Sequence, residues 1–315
     1  MDIKDCVIIG AGPCGIGAAI ELKKLGIDAV IIEKGPVGGK VNIAPRVDNY
    51  PGFTKIPGPD LAYVFYLKAK NAGVKIISDE VISLTKEENF VVECKRETYI
   101  SKTVLVACGT KERTLGLENE ERLFGHGVSY CAICDGHFFK GQDVLVIGGG
   151  NSALKEALHL VNICKKVTLI HRRNEFRGLN HLVDELKNHE NAEILTPYIP
   201  LEINGGDTLE SVKIQNVETK EIKEIKVQGC FPLVGQLPNS NFVKIDNVLN
   251  EWGTIPVDKK MMSSVNGLFA GGDILPRDIR QIYLAEHDGM VAAKSINEYL
   301  KEDLTIKESR IFFEA

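Results

Sequence analysis

The sequence lacks the features that would assign it to a membrane, nucleic-acid-binding or secreted class. No apolar run approaches the roughly 18–20 residues that a membrane-spanning helix needs. The formal net charge of -5 gives no electrostatic reason to expect a nucleic acid or an anionic membrane as partner. The N-terminus has no basic segment followed by an apolar stretch and a small-residue cleavage site. These absences predict a cytoplasmic protein.

A dense set of cysteines is also missing. Of the eight cysteines, six are isolated, mostly within apolar runs where a buried structural thiol is the default. Such scatter is not typical of a secreted disulfide scaffold. The 315 residues, 44% of them hydrophobic and 26% charged, are typical of a globular protein with room for two domains. Only Cys131 and Cys134 are close together, and such a pair in a reducing compartment is usually redox-active or metal-binding.

A glycine-rich turn between a predicted strand and a predicted helix is the first motif. The apolar run 5–9 predicts a buried parallel strand, and 16–25 has a helical pattern. Between them stands Gly10-Ala-Gly12-Pro-Cys-Gly15, whose glycines permit a tight turn and close approach of a pyrophosphate to the helix N–H groups. A second strand, 29–32, ends on Glu33, which can accept hydrogen bonds from ribose hydroxyls. This order is typical of a dinucleotide-binding unit.

The same unit occurs a second time. A strand at 143–147 precedes Gly148-Gly-Gly150-Asn-Ser-Ala153, a helix follows at 154–161, and a second strand spans 167–170. His171 follows Gly148 by 23 positions, as Glu33 follows Gly10, so the two units are in register. The sequence therefore predicts an α/β fold with two Rossmann-like dinucleotide-binding domains.

The second strands of the two units end differently. The first ends in an acid, whereas the second ends in His171-Arg172-Arg173, with Arg177 four positions further on. A carboxylate would repel a 2′-phosphate, whereas a guanidinium group can bind one bidentately. We therefore expect FAD in the first unit, and NADPH rather than NADH in the second. The alternative is a solvated basic surface.

Cys131 and Cys134 lie just before the second unit. Two intervening residues let the sulfurs bond and separate without unfolding, and the thiolate is the nucleophile in disulfide exchange. Asp135 stands beside the second cysteine, where it could shuttle a proton. A zinc site that adds His126 and His137 is the alternative, but zinc sites usually separate their ligand pairs, and we expect no metal. An inert buried pair is the other alternative.

Taken in this order and spacing, the motifs resemble the low-molecular-weight thioredoxin reductases over essentially the whole chain. The motifs are Gly10–Gly15, Asp48-Asn-Tyr-Pro-Gly52, Gly127-Val-Ser-Tyr-Cys-Ala-Ile-Cys-Asp-Gly136, Gly148–Ala153, His171-Arg-Arg-Asn-Glu-Phe-Arg177 and Gly267-Leu-Phe-Ala-Gly-Gly-Asp273. The resemblance implies an FAD/NAD(P)-binding fold in which the second domain is inserted into the first. The FAD domain would comprise 1–113 and 244–315, and the NADPH domain 114–243 with the redox pair. It also implies that one domain rotates against the other about the two places where the chain passes between them, near residues 113 and 244.

The resemblance implies two sets of cofactor-binding residues. Those for FAD are Gly10, Gly12, Pro13, Cys14, Gly15, Glu33, Lys34, Gly39, Lys40, Asn49, Val81, Gly272, Asp273, Arg280, Gln281 and Ile282. Those for NADPH are Gly148, Gly150, Asn151, Ser152, Ala153, His171, Arg172, Arg173, Arg177 and Gly235.

The resemblance also implies the reaction and its partners. NADPH would reduce FAD by hydride transfer, FAD would reduce the disulfide through Cys134, and Cys131 would attack thioredoxin or a similar protein disulfide. A homodimer is implied as well. Ferredoxin as electron donor, a dithiol oxidase that uses oxygen, and a non-catalytic nucleotide-binding protein are the alternatives. The complete glycine turns, basic cluster and cysteine pair argue against the first and the last of these.

Several residues depart from the family pattern. Lys40 replaces a usual glutamine; its side chain could favour an anionic reduced flavin or point to solvent, and we expect the second. Cys14 replaces a usual alanine in the first glycine turn. Glu286 and His287 replace small residues on a helix whose N-terminus faces the flavin in the family. The departures place charge and bulk where they could affect the flavin potential.

Overall fold

The computed structural model describes the backbone of residues 2–44 and 46–313, and the side chains of residues 2–44 and 46–302. The strands are β1 (Ile3–Ile9), β2 (Ala29–Glu33), β3 (Lys75–Ser78), β4 (Val81–Lys86), β5 (Phe90–Cys94), β6 (Thr98–Val106), β7 (Thr110–Glu112), β8 (Asp143–Ile147), β9 (Lys166–Ile170), β10 (Ala192–Leu195), β11 (Tyr198–Gly205), β12 (Leu209–Asn216), β13 (Ile222–Lys226), β14 (Gly229–Pro232), β15 (Gln236–Pro238) and β16 (Leu268–Ala270).

The helices are fewer and lie mostly between strands. They are α1 (Pro13–Lys24), α2 (Gly58–Asn71), α3 (Ala132–Asp135), α4 (Asn151–Leu160), α5 (Asn180–Lys187) and α6 (Ile282–Phe313), with short 3₁₀ segments at Gly39–Ile43, Gly136–Phe139 and Gly272–Ile274. Among the described residues, no helix combines the length and the apolar character that crossing a bilayer requires.

The chain forms two compact units. Glu112–Gln236 is inserted into a unit formed by the chain up to Lys111 and from Leu237 onward. The predicted domain boundaries lie after residues 113 and 243, whereas these compact units divide after residues 111 and 236. Residues 237–243 pack with the first unit. The side chain of Asn239 donates to the carbonyl oxygen of Cys108 at 3.0 Å, and Val243 belongs to a core cluster of the first unit.

The first unit is built on a sheet with the strand order β3-β2-β1-β6-β5-β4, and β16 pairs with β6. The pairs β1–β2, β1–β6, β2–β3 and β6–β16 are parallel, whereas β4–β5 and β5–β6 are antiparallel. Cys6 and Ile8 of β1 pack on the side of α1, and Val7 and Ile9 pack on the opposite side. Because β1 is buried on both faces, its sequence is a continuous apolar run.

The second unit repeats this arrangement on a smaller scale. Its parallel sheet has the order β10-β9-β8-β14, and β11-β12-β13 form a separate antiparallel sheet. Val144 and Val146 of β8 pack with α4, whereas Leu145 and Ile147 pack with residues of the antiparallel sheet. The sheet is therefore buried on both faces. The glycine turn connects the carboxyl end of β8 directly to the N-terminus of α4.

Helices α1 and α6 cross closely in the first unit. A Cβ on Gly289 would lie 2.2 Å from the carbonyl oxygen of Cys14, and a Cβ on Gly17 would lie 3.3 Å from the carbonyl oxygen of Glu286. The small residues therefore permit a contact that brings the first turns of α6 beside the first glycine turn.

Candidate active site

The first glycine turn joins β1 to α1. Gly10 has a φ of +109°, and a Cβ there would lie 2.5 Å from the carbonyl oxygen of Ala107. A Cβ on Gly15 would lie 1.9 Å from the carbonyl oxygen of Gly10. Gly12, in contrast, has no atom within 4 Å of its Cβ position, and no side chain caps the helix that it begins. The turn therefore leaves backbone N–H groups and open space where a pyrophosphate could bind.

Glu33 lies at the end of β2, as predicted. Its Oε2 accepts a hydrogen bond from the N–H of Ala11 at 2.7 Å, and its Oε1 accepts one from the N–H of Gly35, also at 2.7 Å. The carboxylate is thus held against the glycine turn. Lys34, also a predicted FAD residue, has its Nζ 3.6 Å from a carboxylate oxygen of Glu80.

Lys40 does not point to solvent, and that expectation was wrong. Its Nζ donates to Thr110 Oγ1 at 2.8 Å and lies 3.6 Å from Asp273 Oδ2. The hydroxyl and the carboxylate give the ammonium group two polar partners within the first unit, which is why the side chain folds inward. A lysine is therefore positioned beside Asp273, a predicted FAD residue.

Two hydrogen bonds join the segment 48–52 to the start of α6. Asn49 Nδ2 donates to Gln281 Oε1 at 2.9 Å, and Tyr50 donates its hydroxyl hydrogen to Glu286 Oε2 at 2.7 Å. Burial, together with the carboxylate of Glu286, raises the pKa of Tyr50. Glu286, whose charge was a departure from the family pattern, thus bonds to a motif residue. The sequence contained no signal for this pair.

A second carboxylate on α6 is buried. Asp288 Oδ2 accepts hydrogen bonds from the N–H of Gly272 at 2.8 Å and from Arg277 Nη2 at 2.6 Å. Cys14 packs on the same turn, since a Cβ on Gly271 would lie 2.7 Å from its Sγ. Burial raises the pKa of the Cys14 thiol, so Cys14 is a protonated packing residue. Sequence reasoning missed the Arg277–Asp288 pair.

The other predicted FAD residues lie at the ends of elements in the first unit. Val81 begins β4, Gly39 begins a 3₁₀ segment, Pro13 begins α1, Ile282 begins α6, and Arg280 has its Nε 3.5 Å from the carbonyl oxygen of Asp273.

The second glycine turn joins β8 to α4. A Cβ on Gly148 would lie 2.5 Å from the carbonyl oxygen of Leu233, whereas Gly150 is open on its Cβ side. Helix α4 has no side-chain cap, so its first N–H groups are also available to an anion. Asn151 accepts a hydrogen bond from the N–H of Leu179 at 2.9 Å.

The segment 171–178 folds back onto this turn. The N–H groups of Arg177 and Gly178 both donate to the carbonyl oxygen of Gly149, at 2.9 and 3.1 Å. The side chains of Arg172, Arg173 and Arg177 are exposed, and none of them forms an ion pair or hydrogen bond with the described side chains. Unpaired guanidinium groups are thus held beside an uncapped helix N-terminus.

His171 differs from the arginines because it is buried. A Cβ on Gly149 would lie 2.3 Å from its ring, and the ring stacks on Phe176. Its Nε2 is buried and has no hydrogen-bond partner among the described residues. Burial, with the neighbouring arginines, lowers the pKa of His171, so the ring is neutral at pH 7. An orphaned buried nitrogen at this position fits a site that a ligand completes.

Of the other predicted NADPH residues, Ser152 and Ala153 lie in the first turn of α4, and Gly235 has a φ of +113° just before the chain returns to the first unit.

Cys131 and Cys134 are joined by a disulfide, with their Cα atoms 5.3 Å apart. Cys131 is the N-cap of α3, and its Sγ accepts a hydrogen bond from the N–H of Cys134 at 3.1 Å. Both residues are partly exposed. This disulfide fits the redox-active pair that the spacing predicts. The described residues also hold no group of three His, Cys, Asp or Glu that could bind a metal.

Asp135 is held by a serine that the sequence did not single out. Ser129 donates its hydroxyl hydrogen to Asp135 Oδ2 at 2.6 Å, and its Oγ accepts the N–H of Cys131 at 3.1 Å. One hydroxyl thus fixes both the predicted proton carrier and the start of the cysteine helix.

A further carboxylate reaches the cysteine helix from α4. Glu156 Oε2 accepts the N–H of Ala132 at 2.5 Å. Burial raises the pKa of Glu156 to about 7. A glutamate inside an amphipathic helical pattern reads as an exposed residue, so no sequence signal distinguished it.

Comparison with known proteins defines the class. The family model described as pyridine nucleotide-disulphide oxidoreductase matches residues 4–289. Thioredoxin reductase of Ureaplasma parvum is 39% identical, over 95% of this chain and 97% of the relative. Thioredoxin reductase of Bacillus subtilis is 35% identical, over 95% and 96%.

Solved structures agree with these relatives. Thioredoxin reductase of Streptococcus pyogenes is 37% identical with a TM-score of 0.89, covering 95% of this chain and 99% of that one. A ferredoxin-flavin thioredoxin reductase of Clostridium acetobutylicum is 29% identical with a TM-score of 0.52, covering 95% and 98%. The chain therefore belongs to the pyridine nucleotide-disulphide oxidoreductases and, within them, to the low-molecular-weight thioredoxin reductases.

Proposed function

We propose that the protein is an NADPH-dependent thioredoxin reductase. The observation that supports this most directly is the Cys131–Cys134 disulfide, which lies in the same unit as a glycine turn flanked by unpaired arginines. The curated relatives at 35–39% identity that span nearly the whole chain are named thioredoxin reductases.

The first unit fits FAD, and the second fits NADPH. The open position at Gly12 and the uncapped start of α1 suit the pyrophosphate, while Glu33 would favour a nucleotide with a free 2′-hydroxyl. FAD, when bound, supplies the chemistry that links a two-electron hydride donor to a disulfide. In the second unit, the N–H groups at the start of α4 would hold the pyrophosphate, and the arginines that follow β9 would hold the 2′-phosphate.

The cysteine pair performs the exchange with the substrate. After two-electron reduction, one thiolate attacks the substrate disulfide and forms a mixed disulfide. The second sulfur then displaces the substrate dithiol and restores the Cys131–Cys134 bond. We assign the attack on the substrate to Cys131 and contact with the flavin to Cys134. Asp135, held by Ser129, would carry the proton that the leaving thiolate requires.

We further propose that the inserted unit is the NADPH domain and that the unit around it is the FAD domain. A homodimeric, cytoplasmic enzyme that acts on thioredoxin or a similar protein disulfide completes the proposal. The relatives named thioredoxin reductase support the substrate class.

Anaerobic titration of the purified holoenzyme tests the donor. We expect NADPH to bleach the flavin absorbance at lower concentration than NADH does. Addition of oxidised thioredoxin should restore the absorbance in the wild type but not in Cys131→Ser or Cys134→Ser, because each variant lacks one half of the exchanging pair.

The other outcomes of this titration identify the alternatives. If neither nucleotide bleaches the flavin but reduced ferredoxin does, the proposal of a pyridine-nucleotide donor is contradicted. Flavin that a small dithiol reduces, and that oxygen admitted afterwards reoxidises, with no response to thioredoxin, would indicate an oxidase. Turnover of thioredoxin by Cys134→Ser would show that the role of Cys134 is wrong.

A further inference from the structure

The helix that bears the cysteines rests directly on α4. Ala132, between the two cysteines, is fully buried in the core cluster that contains residues of α4. A Cβ on Gly136 would lie 2.8 Å from Leu160 Cδ2, so the end of α3 also touches α4. Any group that α4 presents toward α3 is therefore close to the redox pair.

The backbone N–H groups of Cys131, Ala132 and Cys134 each donate to a side chain of the second unit. Ser129 Oγ accepts the N–H of Cys131, and Cys131 Sγ accepts that of Cys134. Between them, the N–H of Ala132 donates to Glu156 Oε2 at 2.5 Å. Glu156 is thus the one carboxylate among these partners, and it binds the residue that directly follows Cys131.

The electrostatic surroundings oppose the charge on Glu156. The carboxylate is partly buried, and burial together with the negative charge of Glu112 on β7 raises its pKa to about 7. The other titratable groups on these elements are Lys155 and His159 on α4, Asp135 on α3, and Lys111 on β7. Cys131 Sγ accepts the N–H of Cys134, and this hydrogen bond would stabilise a thiolate on Cys131. Reduction of the disulfide would therefore add a negative charge close to Glu156.

We propose that Glu156 is a positioning residue for the redox pair that takes up a proton when the Cys131–Cys134 disulfide is reduced. In this step the S–S bond accepts two electrons and breaks, Cys134 takes a proton and becomes a thiol, and Cys131 becomes a thiolate. Glu156 takes a second proton from solvent, which removes its repulsion of the thiolate. The electrons come from the pyridine nucleotide through the flavin, so this role rests on the proposed function, or from a dithiol reagent in the test below.

The disulfide–dithiol equilibrium of the holoenzyme tests the proposal in dithiothreitol buffers, with the cysteines trapped by alkylation and counted by mass spectrometry. At pH 8, where Glu156 is mostly ionised in the wild type, Glu156→Gln should favour the reduced form by about tenfold, or about 30 mV for this two-electron couple. At pH 5.5, where Glu156 is protonated, the variant and the wild type should agree. Asp79→Asn is the matched control, since Asp79 also accepts two backbone N–H groups but lies in the other unit.

An equal shift at both pH values, or none at pH 8, would overturn the proposal. The equilibrium uses neither NADPH nor thioredoxin, so its failure is distinguishable from failure of the proposed function. If Glu156→Gln does not fold, difference infrared spectroscopy of the wild type at pH 8 replaces it. Reduction should then produce a protonated carboxylic acid band that shifts with ¹³C-labelled glutamate and not with labelled aspartate. Absence of that band would equally contradict the role of Glu156.

Discussion

The two glycine turns of this protein share a backbone and differ in what surrounds it. In each, a parallel strand enters a turn whose last glycine before the helix, Gly12 or Gly150, is open on its Cβ side, and no side chain caps the helix that follows. After the second strand, however, Glu33 turns inward onto its own loop, whereas His171 is buried and the arginines beyond it are exposed and unpaired. The common backbone suits a pyrophosphate, and we propose that the residues after the second strand select the nucleotide.

A second difference lies on the helices themselves. Eight positions after Gly10 stands Ala18, which is fully buried, and eight positions after Gly148 stands Glu156. Around Ala18 the backbone is crowded, since a Cβ on Gly289 would lie 3.0 Å from its amide nitrogen. Helix α1 therefore uses this position to admit α6, whereas α4 uses it to hold the cysteine helix. Ala18 and Glu156 occupy equivalent positions in the two units, and each has the role that the helix packed against it requires.

We expect the largest effect at the last residue of each glycine motif, which is Gly15 in the first unit and Ala153 in the second. Gly15→Ala would place a Cβ 1.9 Å from the carbonyl oxygen of Gly10, so the first turn must shift. We expect the variant to lose at least about 1–3 kcal/mol of stability and to bind FAD at least tenfold more weakly. The flavin-to-protein absorbance ratio after purification measures this.

The matched substitution in the second unit serves as the control. Ala153→Gly should cost about 1 kcal/mol through helix propensity alone and leave the flavin content unchanged. Equal flavin loss in both variants would show that the two turns do not hold different ligands.

The next effect concerns the arginines. Replacing Arg172, Arg173 and Arg177 together by glutamine should raise the KM for NADPH by about 10–100-fold, because charge-assisted bonds to a phosphate are lost. The KM for NADH should change little, since NADH has no 2′-phosphate. Steady-state kinetics with both nucleotides check this, with Lys226→Gln in the same unit as the control for removal of an exposed positive charge. A parallel loss for NADH would mean that the cluster supports the fold or the pyrophosphate instead.

The sequence was sufficient for the parts of the molecule that depend on local backbone geometry. Gly10 and Gly15 are needed because a Cβ would collide with the backbone, and that requirement is visible as a motif. The redox pair is likewise defined by spacing. Tyr50 with Glu286, Arg277 with Asp288, and Lys40 with Thr110 are different, because each joins segments whose approach depends on tertiary packing.

The place of residues 237–243 could not be predicted for the same reason, since they have no local pattern that assigns them to one unit. Their place is set by contacts with β4 and with Cys108, which are distant in sequence. Long-range pairs of this kind are ordinary side chains in the sequence, and only the fold brings them together.

The last expected effect is the dependence of stability on pH at Glu156, compared with Ala18, the residue that likewise stands eight positions after the first glycine of its turn. Burial raises the pKa of Glu156 from an ordinary value of 4.5 to about 7. The protonated form therefore stabilises the fold fully below about pH 4.5, and this contribution is lost as the pH rises through 7. Glu156→Gln cannot ionise, so its stability relative to the wild type should increase by roughly 1–3 kcal/mol between pH 5 and pH 8. Thermal unfolding should show this as a rise of about 2–4 °C in relative Tm for each kcal/mol.

Ala18→Gly, at the matched position of α1, should lower the Tm by the same amount at both pH values, because no charge is involved. A Glu156→Gln difference that does not change with pH would mean that the carboxylate is ionised at no greater cost in the fold than in the unfolded chain, and the contrast between the two helices would then be one of packing alone.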